Sequence, residues 1–288
     1  MIIDSHTHYC HNLYGGEFSY LTVQGQELSV ARGNRESLLA DMTGSGIAMC
    51  IEAGVCAERL PAQLALAEQW GRRVRLTVGQ HPKHCAGADA DTLVALERAL
   101  RSDGVVAVGE TGLDYSMETV DRNCQATWFD HQIALADAAK LPLVLHVRQA
   151  HEAALAQLAD HRAQLHGGVA HCFYDVYETA KRYLDLGFAL GIGGKLLSDD
   201  AEGRALAETV RQVPLSALVV ETDAPFIRPD IRHLGQSGGQ RKRTRNTSLI
   251  LPLVIARIAQ LRGENAQVVE AAVYDNTVAL FHLQGKER

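Results

Sequence analysis

Apolar residues along the chain fall into eight short runs with the composition of parallel strands buried on both faces. They are Ile2–Asp4, Ile47–Ile51, Val74–Val78, Val105–Val108, Leu143–Leu145, Gly168–Ala170, Phe188–Ile192 and Leu218–Val220. The stretches between them repeat their apolar positions at helical spacing, as in Pro61–Arg72, Asp91–Arg101, Arg122–Lys140, His151–Gln164, Val176–Leu186 and Asp200–Val213. Thr247–Leu261 and Glu264–Leu283 read as two closing helices. Strand and helix alternating eight times predict an α/β fold with a parallel sheet, closed as a (β/α)8 TIM-like barrel. A doubly wound open sheet shares this periodicity and is the alternative. With no internal repeat, low-complexity tract or composition break, one domain spanning 1–288 is expected.

The residues that follow each run add chemistry to this frame. His6 and His8 follow the first, Glu52 the second, Gln80-His81-Pro82 the third and Glu110 the fourth. His146 and Arg148 follow the fifth, His171 the sixth, Gly191-Ile192-Gly193-Gly194 the seventh and Glu221-Thr222-Asp223 the eighth. Ionisable or metal-binding side chains thus mark the carboxyl ends of seven of the eight strands, the end at which barrel active sites lie. His11, His84, His131, His151, His161, His166, His233 and His282 lack partners at ligand spacing and are read as ordinary surface or core residues.

His6 and His8, two apart on a strand, share a face and can hold one ion together. Glu110 ends a buried strand, where a carboxylate is expensive unless paired or metal-bound, so it is expected to bridge two metals. Asp114 is expected to orient a ligand rather than bind metal. His146 and His171 offer neutral imidazoles to a second ion, and Asp223 is a ligand to the first or a general base towards the attacking water. Glu221 is a further ligand or a carboxylate of the barrel interior. His81 is read as a donor to a substrate oxygen, and Arg148 as the holder of a phosphate. Glu110 and Asp223 are the candidate catalytic residues.

Composition narrows the setting. With 47% hydrophobic and 22% charged residues the chain reads as a soluble enzyme, and no apolar run approaches the roughly 18 residues that span a bilayer. The start, Met1-Ile2-Ile3-Asp4, has neither part of a secretory signal, and six scattered cysteines without a CxxC pair suit a cytoplasmic location. A formal charge of −6 gives no general attraction for nucleic acid, so a polyanion needs a local basic patch or bound metal.

Taken in order, Asp4-Ser5-His6-Thr7-His8, Gly79-Gln80-His81-Pro82, Val108-Gly109-Glu110-Thr111-Gly112-Leu113-Asp114-Tyr115, Leu141-Pro142-Leu143-Val144-Leu145-His146-Val147-Arg148, His171-Cys172-Phe173, Gly191-Ile192-Gly193-Gly194 and Glu221-Thr222-Asp223-Ala224-Pro225 carry a resemblance. The chain resembles the TatD family of metal-dependent deoxyribonucleases from Ile3 to about Phe281. The resemblance implies a TIM-like barrel with two divalent ions of Mg, Mn or Zn type, held by His6, His8, Glu110, His146, His171 and Asp223. It implies hydrolysis of phosphodiesters in DNA, as a 3′-exonuclease; beside it, a metal-activated hydroxide, a preference for single strands and a monomeric chain are expected.

Two segments depart from the family pattern. Residues 9–35 replace a short loop and carry Tyr14, Phe18 and Tyr20, read as a lid, a base-stacking surface or a partner contact. The loop 228–245 sets six Lys/Arg against the single acid Asp230, as a solvated loop or a phosphate contact, and Arg245-Asn246-Thr247-Ser248 follows it. Two rivals stand beside the nuclease. One is a hydrolase of amides, lactones or phosphotriesters on the same style of site. The other is a non-catalytic subunit of a nucleic-acid-processing complex, docking a partner protein through these two loops.

Overall fold

A computed structural model describes residues 1–283, so residues 284–288 of the expected single domain lie outside the described residues. Its strands are β1 (Ile2–Thr7), β2 (Phe18–Gln24), β3 (Glu27–Gly33), β4 (Ile47–Glu52), β5 (Val74–Val78), β6 (Val105–Asp114), β7 (Leu143–Arg148), β8 (Gly168–Ala170), β9 (Phe188–Ile192), β10 (Leu218–Val220) and β11 (Thr244–Arg245). All eight apolar runs are therefore strands. They form one parallel sheet in the order β1-β4-β5-β6-β7-β8-β9-β10, a (β/α)8 TIM-like barrel. A doubly wound sheet reverses its strand order midway, whereas this order is sequential, and Thr7 at the end of β1 bridges to Ala224 just beyond β10.

β1, β6 and β7 run past their apolar segments to Thr7, Asp114 and Arg148. Pairing continues through the polar ends, with Gly112 opposite His146 and Asp114 opposite Arg148. The helices are α1 (Arg35–Gly44), α2 (Leu60–Trp70), α3 (Ala90–Ala99), α4 (Arg122–Ala139), α5 (His151–Asp160), α6 (Tyr177–Asp185), α7 (Ala201–Gln212), α8 (Gly238–Arg243), α9 (Leu251–Arg262) and α10 (Ala266–Leu280). Helix α1 is absent from the expectation because it buries only Leu38 and Met42, too sparse a stripe to read.

The chain divides into two compact units. The first comprises Met1–Ile51, Cys172–Tyr177 and Gly191–Asn276; the second comprises Glu52–His171, Glu178–Leu190 and the chain from Thr277. In the first, the two departing segments join. β2 and β3 form an antiparallel hairpin turning at Gly25, whose φ of 64° suits glycine, and β11 adds in parallel to β2 through Thr244–Ser19 and Arg245–Tyr20. Leu21, Ile231 and Ile250 make its core, each fully buried side chain contributing about 1.5–3 kcal/mol.

This corrects one expectation. Tyr14, Phe18 and Tyr20 are buried, with Tyr14 Oη donating to the Asn246 carbonyl at 2.5 Å and Tyr20 Oη to Asp41 at 2.6 Å, so they offer no face to a base. Arg228 donates to the carbonyls of Arg241 and Thr244, Arg241 to that of Gln236 and Arg245 to that of Leu13. These three arginines fasten the loop to backbone carbonyls of the same unit, while Arg232, Lys242 and Arg243 of the loop stay exposed.

In the second unit, backbones crowd beneath the site. A Cβ on Gly54 would lie 2.6 Å from the Thr77 carbonyl oxygen, and one on Gly79 would lie 2.4 Å from the Gly109 carbonyl carbon. Thr77 Oγ1 donates to the Gly109 carbonyl at 2.5 Å and accepts the Gly54 N–H at 3.0 Å, tying three strand ends together. Neither neighbour can step aside, so Gly79→Ala is expected to cost about 3 kcal/mol, the upper range of overpacking. Gly87→Ala meets open space and is expected to stay within about 0.5 kcal/mol. Urea denaturation midpoints of the two variants check this, and equal midpoints would refute the crowding.

Candidate metal centre

In the second unit, Glu110 stands where the β6–β7 register shifts between Gly109 and Thr111. Such a bulge re-aims a side chain, and the Glu110 N–H leaves the ladder to donate to the Gly54 carbonyl at 2.6 Å. Glu110 is only 3% exposed. Its Oε1 lies 2.8 Å from His146 Nδ1, 3.0 Å from His171 Nε2 and 3.5 Å from His81 Nε2. Burial would raise this carboxyl, but the imidazoles of His81, His171 and His146 outweigh it and hold it well below the usual carboxylate range.

The tautomers divide these histidines. Asp114 Oδ2 sits 3.0 Å from His146 Nε2, which leaves Nδ1 free to be a ligand atom turned towards Glu110. Asp114 thus meets His146 on the side away from Glu110. His81 Nδ1 accepts the Lys83 N–H at 3.0 Å, so its proton sits on Nε2. That makes His81 a donor and a poor ligand through Nε2. Arg148, at the end of β7, is exposed, and its carbonyl accepts the Tyr115 N–H at 2.9 Å.

In the first unit, His6 Nε2 and His8 Nε2 lie 3.2 Å apart. Asp223 Oδ1 is 3.2 Å from His8 Nε2 and 3.6 Å from His6 Nε2. Asp223 adopts a φ of 53°, fixed by its N–H donating to the His6 carbonyl at 3.0 Å, while the His8 N–H donates to the Ala224 carbonyl at 2.7 Å. Glu221 is wholly buried, and its Oε1 accepts the Cys172 N–H. The paired motif glycines now have a reason, since a Cβ on Gly191 would meet Glu221 Oε2 at 2.2 Å.

Asp4 is a residue the sequence reading passed over. Its carboxylate accepts from Thr222 Oγ1 at 2.6 Å, Ser248 Oγ at 2.7 Å, the Thr222 N–H at 3.1 Å and the His6 N–H at 3.3 Å. Burial pushes this carboxyl up to about 7 against those hydrogen bonds. The signal was an acid inside the buried run Ile2-Ile3-Asp4, where a carboxylate must be satisfied.

Both clusters fit divalent ions. Donors each about 2.1 Å from one ion at tetrahedral or octahedral angles stand about 3.0–3.4 Å apart. The His6–His8–Asp223 separations of 3.2, 3.2 and 3.6 Å lie within 0.2 Å of this range, as do those of Glu110, His146 and His171 at 2.8, 3.0 and 3.4 Å. Imidazole and carboxylate without thiolate is the donor set of hydrolytic metals.

Fold and donor set define the class: a metal-dependent hydrolase. The chain belongs to the TatD related DNase family, whose pattern matches residues 3–282. It is 33% identical over 251 residues to the 3′-5′ ssDNA/RNA exonuclease TatD of Pantoea ananatis, covering 87% of this chain and 94% of that protein. It is 30% identical over 284 residues to the uncharacterized metal-dependent hydrolase YcfH of Escherichia coli K12, covering 98% and 96% of the two chains. The crystal structure of YJJV, a TatD homologue from Escherichia coli K12, superposes with a TM-score of 0.81 at 28% identity, covering 98% of each chain.

The Asp114–His146 pair sets a pH dependence for metal-stripped protein. Despite its burial, the Asp114 carboxyl is held at about 2, below the ordinary 3.8, by hydrogen bonds from His146 and Ser116. It adds stability above pH 3.8 and loses it as pH falls towards 2. The His146 imidazole, lowered by burial but raised further by Asp114 and Glu110, lies above its ordinary 6.5. It adds stability below that pH and loses it as pH rises through the folded value. Asp114→Asn is expected to lower the urea midpoint most between about pH 4 and 6.5, with the deficit shrinking on both sides. A deficit constant from pH 3 to 9 would contradict the pairing.

Proposed function

We propose that this chain hydrolyses phosphodiester bonds in DNA from the 3′ end, preferring single strands, with one divalent ion on each of the two clusters. The observation that carries this reading is the donor set itself: imidazole and carboxylate atoms at ligand–ligand separations around Glu110 and again around Asp223. Relatives named for exonuclease activity on single-stranded DNA and RNA support the substrate class. Bound ions of Mg, Mn or Zn type supply Lewis acidity to the phosphate and lower the pKa of water from about 15.7 towards roughly 7.

The protein's own groups do the rest. Glu110, His146 and His171 hold one position, with Asp114 fixing the His146 tautomer. His6, His8 and Asp223 hold the other, and the Asp223 carboxylate is the acceptor for the proton of the attacking water. His81, with its proton on Nε2, donates to a phosphate oxygen. Arg148 adds an exposed guanidinium for the same group. The same reading takes the chain as a cytoplasmic monomer folded as one domain; the six cysteines, none of them in a disulfide, suit a reducing compartment. Among the described residues no helix is long and apolar enough to cross a membrane.

Metal-stripped protein resupplied with Mg, Mn or Zn should cleave end-labelled single-stranded DNA from the 3′ end, with slower action on duplex. A lactone and a phosphotriester run in parallel, and turnover of these alone would overturn the reading in favour of a small-molecule hydrolase. Glu110→Ala should remove turnover and bound metal together, a loss well beyond the roughly 10–100-fold that outer partners of a metal cost. Full metal-dependent activity in that variant would sink the assignment of Glu110.

A further inference from the structure

Phe226 is the sole aromatic among the exposed large apolar side chains of the described residues, at 41% exposure. It lies three residues beyond Asp223, in a turn closed by its own N–H donating to the Asp223 carbonyl at 2.8 Å. Asn246 clamps both neighbours, its N–H donating to the Pro225 carbonyl at 3.2 Å and its Nδ2 to the Ile227 carbonyl at 3.4 Å. The ring meets two imidazoles in T-shaped pairs, His8 at 5.8 Å and 62° and His11 at 5.4 Å and 85°. His11 is itself anchored, its Nδ1 accepting the Leu13 N–H at 3.0 Å and its carbonyl accepting from Arg35 at 3.2 Å.

An exposed phenyl ring costs solvation, and this one is held rigidly instead of being folded inward. One of its braces, His8, is also a donor of the Asp223 cluster. The three aromatics of the insertion that could have met a base, Tyr14, Phe18 and Tyr20, are buried. We propose that Phe226 is a specificity residue, its open face a stacking platform for a nucleobase of the bound strand, with His8 and His11 bracing the ring. The proposal deepens the nuclease reading above and rests on it. Stacking tolerates any base, because every base has a π-face, and it needs a base free of its partner. The platform therefore favours unpaired strands and is indifferent to sequence.

The test compares a single-stranded oligonucleotide with one whose 3′-terminal nucleotides carry a tetrahydrofuran in place of the base, in wild type, Phe226→Ala, Phe226→Leu and Phe226→Trp. Wild type should show a higher KM for the abasic strand. Phe226→Ala and Phe226→Leu should raise KM for the base-bearing strand about tenfold or more, with kcat changed far less, and should lose the abasic penalty. Phe226→Trp should restore both. A 3′-terminal 2-aminopurine should be quenched on binding wild type and Phe226→Trp but not Phe226→Leu. Cleavage with the abasic penalty intact in Phe226→Ala would overturn the platform and leave the nuclease reading standing. Failure of wild type to cleave either strand would overturn the nuclease reading and the platform with it.

Discussion

A carboxylate buried at 3% exposure is the constraint around which the second unit is arranged. Left alone, a charge in such a place costs several kcal/mol, and removing one partner of a buried pair leaves the other uncompensated. Glu110 is tolerated because three imidazoles turn nitrogens towards one of its oxygens. Each imidazole needs a defined tautomer, which Asp114 supplies for His146 and the Lys83 N–H for His81. The carboxylate in turn needs its backbone off the ladder, which the β6–β7 bulge and the Gly54 carbonyl accomplish. The bulge then needs room, and Gly54 and Gly79 provide it. Steric and electrostatic requirements thus form one chain ending at a single oxygen atom.

The first unit solves a similar problem with different means. Asp4 is fully buried, yet its partners are two hydroxyls and two amides, with no imidazole among them. Those donors come from β1, from the segment after β10 and from the turn before α9, so satisfying the carboxylate also sets where Thr222 lies. Asp223 follows Thr222 and is turned towards His6 and His8 by a left-handed backbone step. One buried acid therefore helps to position another that faces two imidazoles. Asn246 extends the same scaffold by holding the Thr222 and Ile227 carbonyls, which frame the turn carrying Phe226.

Strand phase was legible because burial on both faces forces uninterrupted apolar runs, and a polar residue ending such a run is a departure the eye can find. Hence the eight barrel strands and the residues closing each were open to reading, from His6 to Asp223. The strand ends at Thr7, Asp114 and Arg148 were not, since hydrogen-bond pairing continues where the apolar signal stops. The insertion was harder. β2 and β3 pack Leu21, Leu28 and Val30 against Ile231 and Ile250, more than two hundred residues away, so no local pattern announces them as strands. Tyr14 and Tyr20 look like surface aromatics in a polar loop, but their hydroxyls are satisfied by partners that appear only after folding. Tautomers are the extreme case: nothing in Gly79-Gln80-His81-Pro82 tells that the Lys83 amide will claim Nδ1.

The arginines of the 228–245 loop carry the last consequence. A cluster of six basic residues looks like a counterweight to a net charge of −6, which would let the protein attract a polyanion without metal. Arg228, Arg241 and Arg245 are instead committed to carbonyl oxygens within their own unit, where their hydrogen bonds hold the small sheet together. Their charge persists, while those hydrogen bonds hold the guanidinium groups against backbone carbonyls of their unit. On the proposed reading, in a chain of net charge −6, bound divalent ions would add positive charge for binding as well as supply the chemistry. An apolar contact that ignores salt, such as an aromatic face, is the natural complement in such a site. On that reading, the residues that would hold the ions would serve affinity for the strand and catalysis upon it alike.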